Sequence, residues 1–86
     1  SVKEFDEPLA ALKANRDLSK LADLNKKISA LEQRKAKGRK ISESDLKSLT
    51  QAVDKFTESD NEATQTAASS LKKNLSSLAA SETPGK

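Results

Sequence analysis

Five cations fall within seven residues at Arg34-Lys35-Ala36-Lys37-Gly38-Arg39-Lys40, with no acid among them. A cluster of this density can hold an anion: the phosphates of a nucleic acid, lipid headgroups, or an acidic protein surface. Its plainer role is local, because cations complement the negative end of a helix and hydrate well in a loop. The run has no aromatic or base-reading neighbour, which favours the plainer role. If Arg34, Lys35, Lys37, Arg39 and Lys40 do contact a polyanion, binding should weaken with salt at a log–log slope of about −3 to −5.

Catalysis has little to rest on. The chain lacks His, Cys, Met, Trp and Tyr. No imidazole base, thiol nucleophile, zinc finger or disulfide can be built without His and Cys. Glu32 and Glu43 are the acids that a helical hairpin would bring nearest each other, yet a solvated pair has no reason to be tuned in pKa. No phosphate-binding loop, dinucleotide fingerprint, nucleophile elbow or calcium loop is present. The expectation is a non-enzyme with no catalytic residue, no cofactor and no metal. Sequence-specific nucleic-acid reading is weak for a related reason: base stacking needs aromatics, and the two Phe residues fall at or near core stripes.

Two modification motifs are present, each with a simpler explanation. Arg39-Lys40-Ile41-Ser42 resembles a basophilic kinase site, but Ser42 also stands where a helix cap is needed. Asn74-Leu75-Ser76 is a formal glycosylation sequon within a helical pattern, relevant only to a secreted eukaryotic chain.

The elements that position these residues are helical. Over 17–37, Leu21, Leu24, Ile28 and Leu31 follow a 3,4,3 spacing that puts them on one stripe, and Gly38 supplies the stop. Ile41-Ser42-Glu43-Ser44-Asp45-Leu46 reads as a helix start. Ser42 is its N-cap, Asp45 the partner in a shortened capping box, and Ile41 with Leu46 the hydrophobic staple. That helix covers 43–58 through Leu46, Leu49, Val53 and Phe56. Ser59 or Asp60 caps a third helix over 60–80, whose stripe is Ala68, Leu71, Leu75 and Leu78 with Ala67 beside it. Asp6-Glu7-Pro8 starts a short N-terminal helix over about 6–15. Phe5, Leu9 and Leu12 lie on a different face from the stripe that begins at Leu21, so a break is expected at Asn15-Arg16-Asp17. The short helix would then fold across the bundle. Phe5, Leu9 and Leu12 would either cap its core or dock a partner helix.

The chain is therefore expected to be all-α: an antiparallel three-helix bundle preceded by a short helix, forming one domain over 1–80, with a disordered tail over 81–86. Stripes of about two heptads are too short for an extended coiled coil. Large aliphatic and aromatic residues number 17 of 86, near the boundary for disorder, so a stability of roughly 3–6 kcal/mol is expected. Formal net charge is +3, polarised with the basic run at one end and Glu58, Asp60, Glu62 and Asp17 at the other. No run is apolar enough to span a membrane, no signal peptide is visible, and the absence of Cys fits a cytoplasmic protein and equally an exported one without disulfides. The leading expectation is a module that binds another protein, or a second copy of itself, through a helix face or its charged ends. The alternative is a binder of nucleic acid or another polyanion through the basic tip.

Overall fold

The three long helices follow from where the sequence can and cannot end one. In the computed structural model α1 runs Val2–Ala36, α2 Glu43–Thr57 and α3 Glu62–Glu82. The structure describes the backbone of residues 2–82 and, within them, the side chains of Leu9 and of residues 11–80. Short connections make neighbouring helices antiparallel.

α1 stops at Gly38. Its φ of 76° lies in the left-handed region, where glycine has no Cβ to clash. The Arg39 N–H donates to the Arg34 carbonyl at 2.9 Å and the Gly38 N–H to the Lys35 carbonyl at 2.9 Å. These are the two bonds of a Schellman motif, and they satisfy carbonyls that the helix end would otherwise orphan. The Arg34 guanidinium also donates to the Lys40 carbonyl at 3.2 Å, closing the loop over its own helix end.

α2 starts as its cap predicts. Ser42 is extended at φ −66° and ψ 127°, and its Oγ accepts from the Asp45 N–H at 3.3 Å. Ile41 and Leu46 are both buried, as the staple requires.

The start of α3 differs from expectation. Its N-cap is Asn61, one residue past Asp60. Asn61 Oδ1 accepts from the Thr64 N–H at 2.9 Å and from the Thr64 hydroxyl at 3.1 Å. Ser59 instead braces the connection, its Oγ accepting from the Asn61 N–H at 3.1 Å. Thr64 is fully buried, and its hydroxyl is satisfied by that same amide oxygen.

The core lies where the stripes placed it. Leu21, Ile28 and Leu31 of α1 meet Leu46, Leu49 and Val53 of α2 and Ala68, Leu71, Leu75 and Leu78 of α3, with Ile41 closing the loop end. Leu18, Leu24, Phe56 and Ala67 pack partly buried around them. Lys72 of α3 reaches Asp54 of α2 at 2.8 Å, a half-exposed ion pair of the kind that contributes about 0–1 kcal/mol.

The N-terminal expectation is overturned. There is no break at Asn15-Arg16-Asp17 and no separate short helix over 6–15; α1 is continuous from Val2. Two physical reasons favour this. Residues 9–20 hold neither Gly nor Pro, and adding residues to an existing helix costs far less than nucleating another. Folding back would also require a loop made from residues that prefer to extend the helix. Pro8 lies inside α1, where its missing N–H leaves the Glu4 carbonyl without the usual donor. At the other end, Ser81 and Glu82 belong to α3, contrary to a tail that begins at 81; the rest of the expected disordered tail, 83–86, lies outside the described residues.

Continuity of α1 sets the shape. At 1.5 Å per residue its 35 residues extend about 52 Å, against about 22 Å for the 15 residues of α2. The molecule measures 59 × 20 × 17 Å with a radius of gyration of 15.7 Å. A compact domain of this length would have about 12 Å. Residues 2–16 account for the difference by running past the end of the bundle.

The two polar contacts at the α3 start separate two substitutions. Asn61→Ala should lower unfolding free energy by about 1–2 kcal/mol, through loss of the cap and of the partner for the buried Thr64 hydroxyl. Ser59→Ala should cost about 0.5 kcal/mol or less. Urea titrations of the two variants, read for a change in midpoint at constant slope, check the order.

Candidate interaction surfaces

Three surfaces emerge: the hairpin tip, the opposite end of the bundle, and the projecting part of α1. At the tip, Arg34, Lys37, Arg39 and Lys40 are exposed and Lys35 is half-buried. All five belong to the end of α1 or the turn that follows. Their arrangement is fixed by the backbone motif at Gly38, and Arg34 is occupied in closing it. The tip is thus partly an internal device of the turn and partly a solvated cation cluster.

At the far end, the topology sets Glu58 at the close of α2 and Asp60 and Glu62 at the opening of α3, all exposed. Asp17 of α1 is half-buried where α1 enters the bundle. Acids near a helix N-terminus are favoured by its dipole, which accounts for Glu62 without a ligand.

The third surface comes from the geometry of a straight helix. At about 100° per residue, positions 5, 9 and 12 lie about 110° around α1 from the seam of Leu21, Leu24, Ile28 and Leu31. The seam turns to α2 and α3, so positions 5, 9 and 12 cannot. Leu9 is 66% exposed and Leu12 61% exposed, the two exposed large apolar side chains among the described residues. Phe5 shares their face of the helix, and its side chain lies outside the described residues. Among the described side chains of α1, Leu9 and residues 11–13 are exposed, and Ala14 and Asp17 are half-buried. Leu9 and Leu12 therefore do not cap the core.

A shallow, open depression is lined by Thr57, Ser69, Lys72, Lys73, Ser76 and Ser77. It offers hydroxyls and ammonium groups and no carboxylate. Glu32 and Glu43 are both exposed. Among the described residues no group of three or more acids is placed to share a metal ion, and no helix is long and apolar enough to cross a membrane. Asn74 of the sequon is half-buried within the continuous run of α3.

Legibility differed between the surfaces. The tip was readable because a run of cations is contiguous in sequence. The projection was not: its leucines were visible, but their exposure depended on the continuity of residues 15–17. The signal available was negative, the absence of Gly and Pro from that segment.

Exposure of the two leucines has a direct consequence for stability. Leu9→Glu with Leu12→Glu should leave the unfolding free energy within about 0.5 kcal/mol of the original. Leu21→Ala, which empties a core position, should cost about 2–5 kcal/mol. Thermal unfolding followed by circular dichroism distinguishes the two; a large loss in the double variant would mean that the projection packs on the bundle.

Comparison with protein-family models, with curated proteins and with solved structures finds no match.

Proposed function

We propose that the chain is a non-enzymatic helical interaction module that binds another protein through the face α1 carries past the bundle. The observation that supports this reading is the exposure of Leu9 and Leu12, at 66% and 61%, on one face of α1. A monomer ordinarily buries large aliphatic side chains or scatters them singly. Here two lie one helical turn apart on a rod that projects into solvent. Recognition of one helix by another uses anchors at this spacing. The bundle serves as the stable base, and the projection as the contact surface.

A second reading assigns the contact to the basic tip, binding nucleic acid or another polyanion. It is supported by the exposure of Lys37, Arg39 and Lys40 at one end of an elongated molecule. It is weakened by the internal use of Arg34, which leaves fewer free cations than the sequence run implies. The absence of Trp and Tyr also leaves a tip binder to act by charge alone.

Affinity capture with three baits tests the choice: the chain itself, Leu9→Glu with Leu12→Glu, and a charge reversal of Arg34, Lys35, Lys37, Arg39 and Lys40. The helix-face reading expects a protein, the chain itself included, that the first and third baits hold and the leucine variant loses. Capture that ignores the leucines and vanishes with the cations would replace it with the tip reading. In that case polyanion binding should fall with salt at a slope of about −3 to −5.

A further inference from the structure

We propose that α1 carries a second contact face, a row of cations that takes the phosphate backbone of a duplex nucleic acid without reading its sequence. The inference is independent of the helix-face reading. It rests on the tip reading and enlarges that site from a loop to the side of the bundle.

The net charge of +3 conceals a strong asymmetry. Residues 13–40 hold ten Lys and Arg against three Asp and Glu, a net of +7. Residues 43–60 hold two against five, a net of −3, and segments 1–12 and 61–86 carry −2 and +1. Positive charge is therefore gathered on α1 and the turn after it, while α2 is negative.

Helix geometry sets part of that charge in a line. At about 100° per residue, Arg16, Lys20, Lys27 and Arg34 lie within about 40° of one another, and about 90° from the seam of Leu21, Ile28 and Leu31. All four are exposed, and Asp23 is the one acid among them on this face. The ion pair found among the described residues is Lys72 with Asp54, between α3 and α2, which leaves the row's charge to an outside partner. Arg34 spends one donor on the Lys40 carbonyl and keeps its charge. The row spans about 27 Å, and Lys37, Arg39 and Lys40 extend it past Gly38. Acids bound it at both ends: Glu58, Asp60 and Glu62 beyond Arg16, and Glu43 and Asp45 in the first turn of α2 beside the tip.

The occupant follows from what the row lacks. The exposed positions between its cations include Ser19, Ala22, Ala30 and Gln33, with no large apolar side chain. A helix held at a membrane surface needs such side chains to enter the bilayer boundary, and a protein interface needs them at its centre. A nucleic acid needs neither. Each strand presents a phosphate about every 3.4 Å of axis, so about eight face a row of this length. A duplex offers twice the charge density of one strand, and the chain has no Trp or Tyr to reward unstacked bases. Contacts to phosphates alone carry no sequence preference.

Fluorescence anisotropy of a labelled DNA duplex of about 20 base pairs, titrated with the full chain at about 25 to 300 mM NaCl, reads the contact. Binding should fall with salt at a log–log slope of about −5 to −6, and differ less than about threefold between unrelated sequences. Arg16→Gln, Lys20→Gln and Lys27→Gln together should weaken it at least about tenfold at low salt and flatten the slope by about 3. Lys47→Gln, Lys55→Gln and Lys73→Gln remove the same charge from α2 and α3 and should change affinity less than about threefold. All six side chains are exposed, and unchanged helical circular dichroism confirms that each variant is folded. No binding at low salt, equal losses in the two triple variants, tighter binding of a single strand, or binding confined to phosphatidylserine vesicles would each overturn the proposal. Loss with Lys37→Glu, Arg39→Glu and Lys40→Glu beside an indifferent row variant would overturn the row and leave the tip reading. Capture of a protein through Leu9 and Leu12 stands or falls separately, because none of these substitutions alters either leucine.

Discussion

The backbone ladder of α1 is the constraint on which the rest depends. An α-helix turns about 100° per residue whatever its side chains are, so two apolar stripes out of phase cannot both face the same neighbours. The chain has two routes out of that conflict. It can break the helix and fold the first stripe back, or keep the helix and leave the first stripe in solvent. Breaking it would give up consecutive intrahelical hydrogen bonds and require a new nucleus, in return for burying two leucines and whatever accompanies them. With neither Gly nor Pro between Leu12 and Leu21, nothing lowers the cost of the break, and the helix continues. The elongated shape and the exposure of Leu9 and Leu12 follow from that outcome.

The bundle itself is organised by polar groups at the helix ends as much as by its core. A core of Leu, Ile, Val and Ala specifies that helices pack, but aliphatic side chains tolerate several registers. Here the ends are fixed by directional bonds. Gly38 and the Arg39 and Arg34 contacts close the first turn, Ser42 opens α2, and Asn61 opens α3 while satisfying Thr64 inside. Thr64 shows how closely the two kinds of specification interlock. A hydroxyl can be fully buried there because the neighbouring cap supplies its acceptor.

Most of the three-helix architecture was legible from the chain alone, for identifiable reasons. The 3,4,3 stripes are long enough to fix face and phase, and Gly38 and the Ser42 start are strong local signals. Two readings fell short. Ser59, Asp60 and Asn61 are all types that cap well, and only the position of Thr64 inside the fold decides for Asn61. A break at Asn15-Arg16-Asp17 follows from the sequence only if an apolar stripe must find a neighbour within its own chain. That assumption is global, whereas helix propagation is local, and the local term is larger here. The site followed the same division: the contiguous cations of the tip could be read directly, and the projection could not be recognised until α1 was known to be straight.

Separation of the projection from the bundle also affects how the sequence can change. Residues that share a core are coupled, so altering one alters the effect of altering its neighbours. Leu9 and Leu12 stand outside the core cluster and are exposed. Substitutions there are nearly independent of those that hold the fold. Changes on this face can therefore accumulate step by step without each step passing through a less stable bundle. A projecting helix is, in that sense, a variable region carried on a constant frame.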